Sequence, residues 1–336
     1  MRLAEFNYYL PKELIAQTPL KQRDESRLMV LDRKKGRIYE KNFHNILEYL
    51  KKGDCLVLNN TRVVPVRFYG RRKTGAKVEI FLLNPGAKKL YALVRPSKRV
   101  KDGEIVYLEN GIEAQVFGKT KLGRLVEFNA PLSEVFKTGH VPLPPYISRD
   151  DTFQDRESYQ TVYALNDGAT ASPTAGLHFT KKLLKTIADK GVFLVFVTLH
   201  TSYGTFAPVT AEKIENHHMH SEQYEINKSS AKIINKTKMS GGRVFAVGTT
   251  SVRVLESAAI EKNKVKAVNG ETNIFIYPGY DFKIIDGIIT NFHLPQSTLL
   301  MLVSAFAGKE SIRNAYEQAI QSKFRFFSYG DAMLIF

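Results

Sequence analysis

Residues 192–197 read VFLVFV, six positions without a polar side chain. A strand of that kind cannot have one face in water, because successive side chains alternate between its two faces. Something must cover both. Residues 181–190, just upstream, place Leu183, Leu184, Ile187 and Ala188 on one helical face, and Gly191 stands where a left-handed residue closes a helix. A helix feeding a doubly buried strand belongs to an α/β sheet with helices packed on it. The pattern recurs along the chain. Phe43, Ile46, Leu47 and Leu50 at helical spacing run into a strand at 55–58; a helix at 229–239 precedes Gly241-Gly242 and a strand at 243–247, and a further helix is expected from Ser251. Apolar strands are expected at 273–277 and 284–289, Ser297 caps an apolar helix over 298–306, and Ile312, Tyr316, Ala319 and Ile320 stripe a last one.

Between Val63 and about Ala130 the period changes. Val78, Ile80 and Leu82 alternate with other residues, Ile112, Ala114 and Val116 do the same, and turn signals such as Thr74-Gly75, Asp102-Gly103 and Asn110-Gly111 punctuate the segment. About six short strands of this sort suit a small barrel, and the stiff Val141-Pro-Leu-Pro-Pro-Tyr146 marks its exit. The expected architecture is a discontinuous α/β sheet domain, residues 1–62 and 147–336, with an inserted small β-barrel at 63–146.

Charge points to a partner. Forty-nine Lys and Arg against 33 Asp and Glu leave a formal charge of +16, the footprint of a protein that handles polyanions. Eleven basic residues and one acid, Glu79, fall between Arg67 and Lys101. The residues picked out for nucleic acid are Asn59 and Arg62 at a strand mouth, with Arg71, Arg72, Lys73, Arg95, Lys98 and Arg99 in the basic segment. Period-two alternation sends the interleaved aromatics Phe68, Tyr69, Phe81 and Tyr91 to the core instead. A single cysteine excludes a disulfide framework, and no apolar run reaches signal-peptide or membrane-spanning character, so a cytoplasmic protein is expected.

Two loops are candidates for a small ligand. ATASPTAGLHFT, residues 169–180, sets Thr174, Gly176 and His178 just before a helix, where free N–H groups meet a polar or anionic ligand; it reads equally as turn and cap residues. Gly248-Thr249-Thr250, with Arg253 one turn on, has the layout of an anion site. His178, His200 and His293 each end an element and suggest one shared cleft. His217 and His220 would share a face on a helix, but no coordination set accompanies them, so no metal is expected and His220 is read with Glu222 as an acid/base pair. The fingerprints G-x-G-x-x-G, G-x-x-x-x-G-K-[ST] and G-x-S-x-G are absent, which removes the sequence warrant for a dinucleotide oxidoreductase, a P-loop NTPase and a serine α/β-hydrolase.

The strings NNTRVVPVR, LVRPSKR, PLPPYI, PTAGLHFT, MHSEQYEI, AVGTTSVRVLES, ETNIFIYPGY, DGIITNFHLPQSTLLMLVSAFAG and FRFFSYGDAMLI, in this order, resemble the S-adenosylmethionine:tRNA ribosyltransferase-isomerase family of queuosine biosynthesis from about residue 6 to the end. The resemblance implies an α/β domain with an inserted barrel, no metal, and transfer with isomerisation of the ribosyl part of S-adenosylmethionine to 7-aminomethyl-7-deazaguanine at the tRNA wobble position. Epoxyqueuosine-tRNA, adenine and methionine are the implied products. The catalytic candidates it leaves are His178, His220, Glu222 and His293, and the donor-binding ones are Thr174, Gly176, Gly248, Thr249, Thr250, Arg253 and Tyr277. Motif positions also fall on His200, Gly204, Thr205, Phe206, Asn291 and Asp331. Asn60 stands where the family usually has Asp, and Ser202 where it usually has Gly. The other readings are a different tRNA-modifying transferase on the same scaffold and a non-catalytic basic RNA-binding protein.

Overall fold

Strand Cys55–Asn59, all of it buried, lies near the middle of a nine-stranded sheet in a computed structural model that describes residues 1–120, 123–201 and 209–336. Across the sheet the strands run Val268–Thr272, Glu222–Ile226, Phe193–Leu199, Cys55–Asn59, Val244–Val247, Gly287–Asn291, Ala332–Ile335, Arg27–Asp32 and Arg37–Asn42. The four from Phe193–Leu199 to Gly287–Asn291 are mutually parallel. Their carboxyl ends therefore open on one edge. Ala332–Ile335 runs against Gly287–Asn291 and alongside Arg27–Asp32, so the residues leading into these two strands, Asp331 and Ser26, lie at that same edge.

Helix Lys181–Asp189 forms as the spacing predicts. The Thr180 hydroxyl accepts a hydrogen bond from the Leu183 N–H at 3.0 Å, and Leu183, Leu184 and Ile187 are buried against the sheet, each contributing about 1.5–3 kcal/mol. The strand after it is not covered throughout, for Phe193 is 43% exposed at its outer end. Other expectations shift. The segment at 43–50 forms a 3-10 helix, Phe43–Glu48, and the helix expected from Ser251 begins at Gly248, whose φ of +84° turns the chain from strand to helix without a loop. No strand forms at 273–277; the pairing strand is Val268–Thr272, and the one expected at 284–289 is Gly287–Asn291.

Six strands between Arg67 and Phe128 hydrogen-bond in a closed ring: Arg67–Arg72, Lys77–Leu82, Leu90–Arg95, Gly123–Phe128, Glu113–Thr120 and Glu104–Tyr107. Val66, Phe68, Ile80, Leu82, Ala92, Val106 and Ala114 fill it. Phe68 is a core residue as expected; Phe81 is buried too, although alternation with Ile80 and Leu82 puts it on the outer face, where Arg67 and the segment 142–145 cover it, and Tyr69 is exposed and packs on His140 at 5.0 Å. The buried Arg124 donates to the carbonyls of Phe117, Val100 and Lys101, bracing the turn that carries Lys98 and Arg99. Nothing in the spacing of the sequence marks that arginine as internal.

Candidate active site

The carboxyl edge of the parallel strands is where an open α/β sheet binds its ligands. Here it is tied together from within. Asn59 is fully buried; its Oδ1 accepts from the N–H groups of Thr61 (3.2 Å) and Leu199 (3.0 Å), and its Nδ2 donates to Leu199 O (3.1 Å), joining neighbouring strand ends. Asn60 Oδ1 accepts from Thr198 Oγ1 (2.8 Å) and Asn166 Nδ2 (3.3 Å), a role in which an amide oxygen serves as a carboxylate oxygen would. Asn59 thus has no polar group to offer RNA, which corrects that expectation.

Above the strand ends the 3-10 turn Thr174–His178, helix Gly248–Ala258 and helix Thr298–Ala307 converge on a narrow cavity of about 70 Å³. Such a space takes the polar edge of a ligand while the remainder lies in the open mouth. Thr174, Gly248, Thr249 and Thr250 line it, as expected of them, and so does His293. Its other polar lining includes Ser172, Thr201 and Asn291; Asn291 is one of the motif positions and Ser172 lies in the stretch 169–180, whereas no sequence signal marks Thr201. Ser172 Oγ, Thr201 Oγ1 and Thr250 Oγ1 are all buried without a hydrogen-bond partner. Leaving one such group unpaired costs about 1–3 kcal/mol, so three facing one cavity mark a place prepared for hydroxyls or a carboxylate.

Two buried imidazoles flank it. Tyr316 Oη accepts the His293 backbone N–H at 3.0 Å and lies 3.4 Å from Nδ1, while Nε2 lies 3.1 Å from Thr290 Oγ1. A phenol that donates to Nδ1 leaves the ring proton on Nε2, pointing to Thr290. Burial pushes the His293 pKa down to about 3. His178 behaves alike: burial pushes it down to about 3, against a smaller upward pull from Asn291. Its Nδ1 is 2.7 Å from Ser26 Oγ, and its side-chain hydrogen bond with Asn291 is the source of that upward pull. Both rings are neutral at pH 7, able to donate or accept a hydrogen bond but weak as bases.

Other expected site residues are placed elsewhere. Glu222 and Arg253, read as an acid/base group and a ligand contact, form an ion pair with each other, 3% and 4% exposed. Their charges are spent on one another, and neither lines the cavity. His220 is exposed, and residues 217–220 are not helical, so the shared histidine face does not exist. Tyr277 packs on Phe275 at 5.0 Å and not on the cavity. A Cβ on Gly176 would come within 2.1 Å of the Tyr163 hydroxyl, so that glycine answers to packing and not to a ligand. His200 hydrogen-bonds Thr61 Oγ1 at 2.8 Å through Nδ1, and burial lowers its pKa. Ser202, Gly204, Thr205 and Phe206 lie outside the described residues. Among the described residues no cluster of three or more metal-ligating side chains occurs, and no helix is long and apolar enough to cross a membrane.

On the barrel, Arg71, Lys73, Arg95, Lys98 and Arg99 are exposed. Arg72 is not free for phosphate, since Nε and Nη2 hold Glu104 at 2.6 and 3.2 Å in a two-point pair. Arg62 is half engaged, donating to Ala164 O at 3.1 Å and lying 3.8 Å from Asp167.

Comparison with known proteins gives three results. The family model described as "Queuosine biosynthesis protein" matches residues 3–335. The chain is 52% identical, over all of both sequences, to a protein of Halothermothrix orenii named S-adenosylmethionine:tRNA ribosyltransferase-isomerase. It is also similar to a crystal structure of S-adenosylmethionine tRNA ribosyltransferase from Thermotoga maritima, with 38% identity and a TM-score of 0.58, covering 99% of this chain and 100% of that one.

Proposed function

This chain belongs to the queuosine biosynthesis protein family, and from that membership we propose that it is an S-adenosylmethionine:tRNA ribosyltransferase-isomerase. It moves and isomerises the ribosyl part of S-adenosylmethionine onto the aminomethyl group of 7-aminomethyl-7-deazaguanine at the tRNA wobble position. Epoxyqueuosine-tRNA, adenine and methionine are released, in the cytoplasm and without a metal. The observation that carries the donor's placement is the convergence of three unpartnered hydroxyls, on Ser172, Thr201 and Thr250, upon one cavity at the sheet's carboxyl edge. Ribose hydroxyls or the methionine carboxylate satisfy them, alongside Thr174 and the free N–H groups at the start of helix Gly248–Ala258.

The donor supplies a sulfonium that acidifies its C5′ proton and makes methionine a leaving group. The protein's residues position and stabilise. His293, neutral with its proton on Nε2, donates through Thr290 to charge developing as adenine departs, the part a neutral imidazole plays in an enolising enzyme. His178 and Ser26 hold Asn291 from behind. We take residues 1–62 and 147–336 as the catalytic domain and residues 63–146 as the RNA platform, reached through Arg71, Lys73, Arg95, Lys98 and Arg99. The test is isotopic. Label in the ribose carbons of S-adenosylmethionine must enter tRNA carrying the 7-deazaguanine precursor, with adenine released in equal amount. Methyl label in the tRNA, or S-adenosylhomocysteine as co-product, refutes the assignment.

A further inference from the structure

Behind the turn Thr174–His178 lies a second cavity, of about 450 Å³, in the size range of about 300–1,000 Å³ that takes a small-molecule ligand. Lys21, Arg23, Glu157, His178, Arg325 and Tyr329 are among its lining. Its charge balance is unusual: three cations against one carboxylate. Arg23 spends its N–H groups on the carbonyls of Gln160 (2.7 Å), Glu157 (2.8 Å) and Leu177 (3.4 Å). Arg325 donates to the Tyr329 carbonyl, and its Nε has no partner. Among the described residues neither guanidinium forms an ion pair, although both are half-buried. Carbonyl dipoles hold a guanidinium in place without neutralising it. Loss of water lowers the pKa of both, and the opposing pulls, from Tyr329 and Glu157 on Arg23 and from Asp331 on Arg325, are smaller.

A folded chain that keeps two such charges at one cavity gains nothing in stability from them, since an unpaired charge out of water is costly. The geometry points to an anion-bearing ligand of nucleotide size. Resting on the reading that the chain acts on tRNA, we infer that this cavity holds the acceptor nucleotide of the single-stranded loop, with its phosphate against Arg325, Arg23 and Lys21 and its base between Leu20, Leu177 and Tyr329. Glu157 then faces the base as the one acidic acceptor for N–H groups of a guanine-type edge. The placement fits the transfer. Ser328 lines both cavities, and His178 of this one neighbours Asn291 of the other, so donor and acceptor meet across a wall one residue thick.

The probe is guanosine 5′-monophosphate against guanosine, titrated calorimetrically into the full chain. The monophosphate should bind about tenfold or more tightly, as expected for charge-assisted contacts to a phosphate. Arg325→Met should abolish that preference while leaving S-adenosylmethionine affinity and melting temperature near those of the parent. Lys21 is exposed, so Lys21→Gln folds whatever becomes of the arginine variant and should reduce the preference severalfold. Equal binding of the two probes by the parent, or a preference retained in Arg325→Met and Lys21→Gln, overturns the inference. Label transfer in the parent enzyme is read separately: its absence sinks the functional reading and not this site, whereas normal transfer without nucleotide preference sinks this site alone.

Discussion

Replacing Glu222 by Gln tests whether the buried carboxylate serves catalysis or serves Arg253. The partners are 3% and 4% exposed, so the substitution leaves a guanidinium without counter-charge in the interior. Breaking a buried pair from one side costs about 3–5 kcal/mol. With an unfolding entropy of about 2.1 cal/mol/K per residue, roughly 0.7 kcal/mol/K for 336 residues, the melting temperature should fall by about 4–7 °C. Arg253→Met added to Glu222→Gln removes the stranded charge, and a neutral pair of similar volume should restore most of the loss. Activity separates the two roles. If the carboxylate only holds Arg253 and helix Gly248–Ala258 in register with strand Glu222–Ile226, the double variant recovers turnover along with stability. A double variant that melts like the parent but turns over 10²-fold or more slowly, on the scale of a lost general acid or base, would show that Glu222 acts on the substrate. A single variant that melts like the parent refutes the energetic argument itself.

Three further outcomes follow from the same structure. Reversing Lys98 and Arg99 together to Glu should weaken tRNA binding and lower the salt slope by about one unit per lost phosphate contact, measured by titration at several salt concentrations; an unchanged slope removes that turn from the RNA surface. Arg72→Gln should instead lower thermal stability, because Arg72 is held by Glu104. The buried imidazoles give a pH dependence whose sign is fixed. His178 and His293 have folded pKa values pushed from 6.5 to about 3, so the unfolded chain binds protons that the folded chain refuses, and stability present above pH 6.5 is lost as pH falls. Each should cost about 2 kcal/mol between pH 7 and pH 5, and His293→Gln should remove its share from urea unfolding curves; a parent protein equally stable at both values contradicts the burial of these rings.

The sequence was most readable where burial is complete. Residues 55–58 and 243–247 are apolar at nearly every position because sheet neighbours and helices enclose them, and both form strands. It was least readable at the sheet's margin. Val268–Thr272 carries a single large apolar side chain because it is an edge strand, paired on one side to Glu222–Ile226 and open on the other. The apolar stretch at 273–277 owes its composition to packing of Ile274, Phe275 and Tyr277 against the core without strand pairing. In the site, loop residues next to strand ends were legible, since Gly248, Thr249, Thr250 and His293 all reach the cavity at the sheet's carboxyl edge. What spacing could not disclose is pairing across elements. Glu222 and Arg253 are thirty-one positions apart and meet only because a helix crosses a strand.

The polarity of the donor cavity carries a consequence for the proposed chemistry. Its lining among the described residues comprises hydroxyls, an amide, a neutral imidazole and apolar side chains, with no carboxylate. A sulfonium brought there exchanges water for neutral dipoles and receives no counter-charge, so the bound cation is poised to give up positive charge. Loss of the adjoining C5′ proton relieves it, as does any step that releases neutral methionine side chain. Methyl transfer relieves it equally, so charge alone does not choose between them. The proposed reading turns on orientation: where the prepared polar atoms take the ribose hydroxyls, Asn291, His178 and Ser328 put the second cavity on the sugar's side. With ribose hydroxyls on those atoms, an acceptor amine arriving through that wall would meet the sugar, which is the outcome the ribose-label experiment reads.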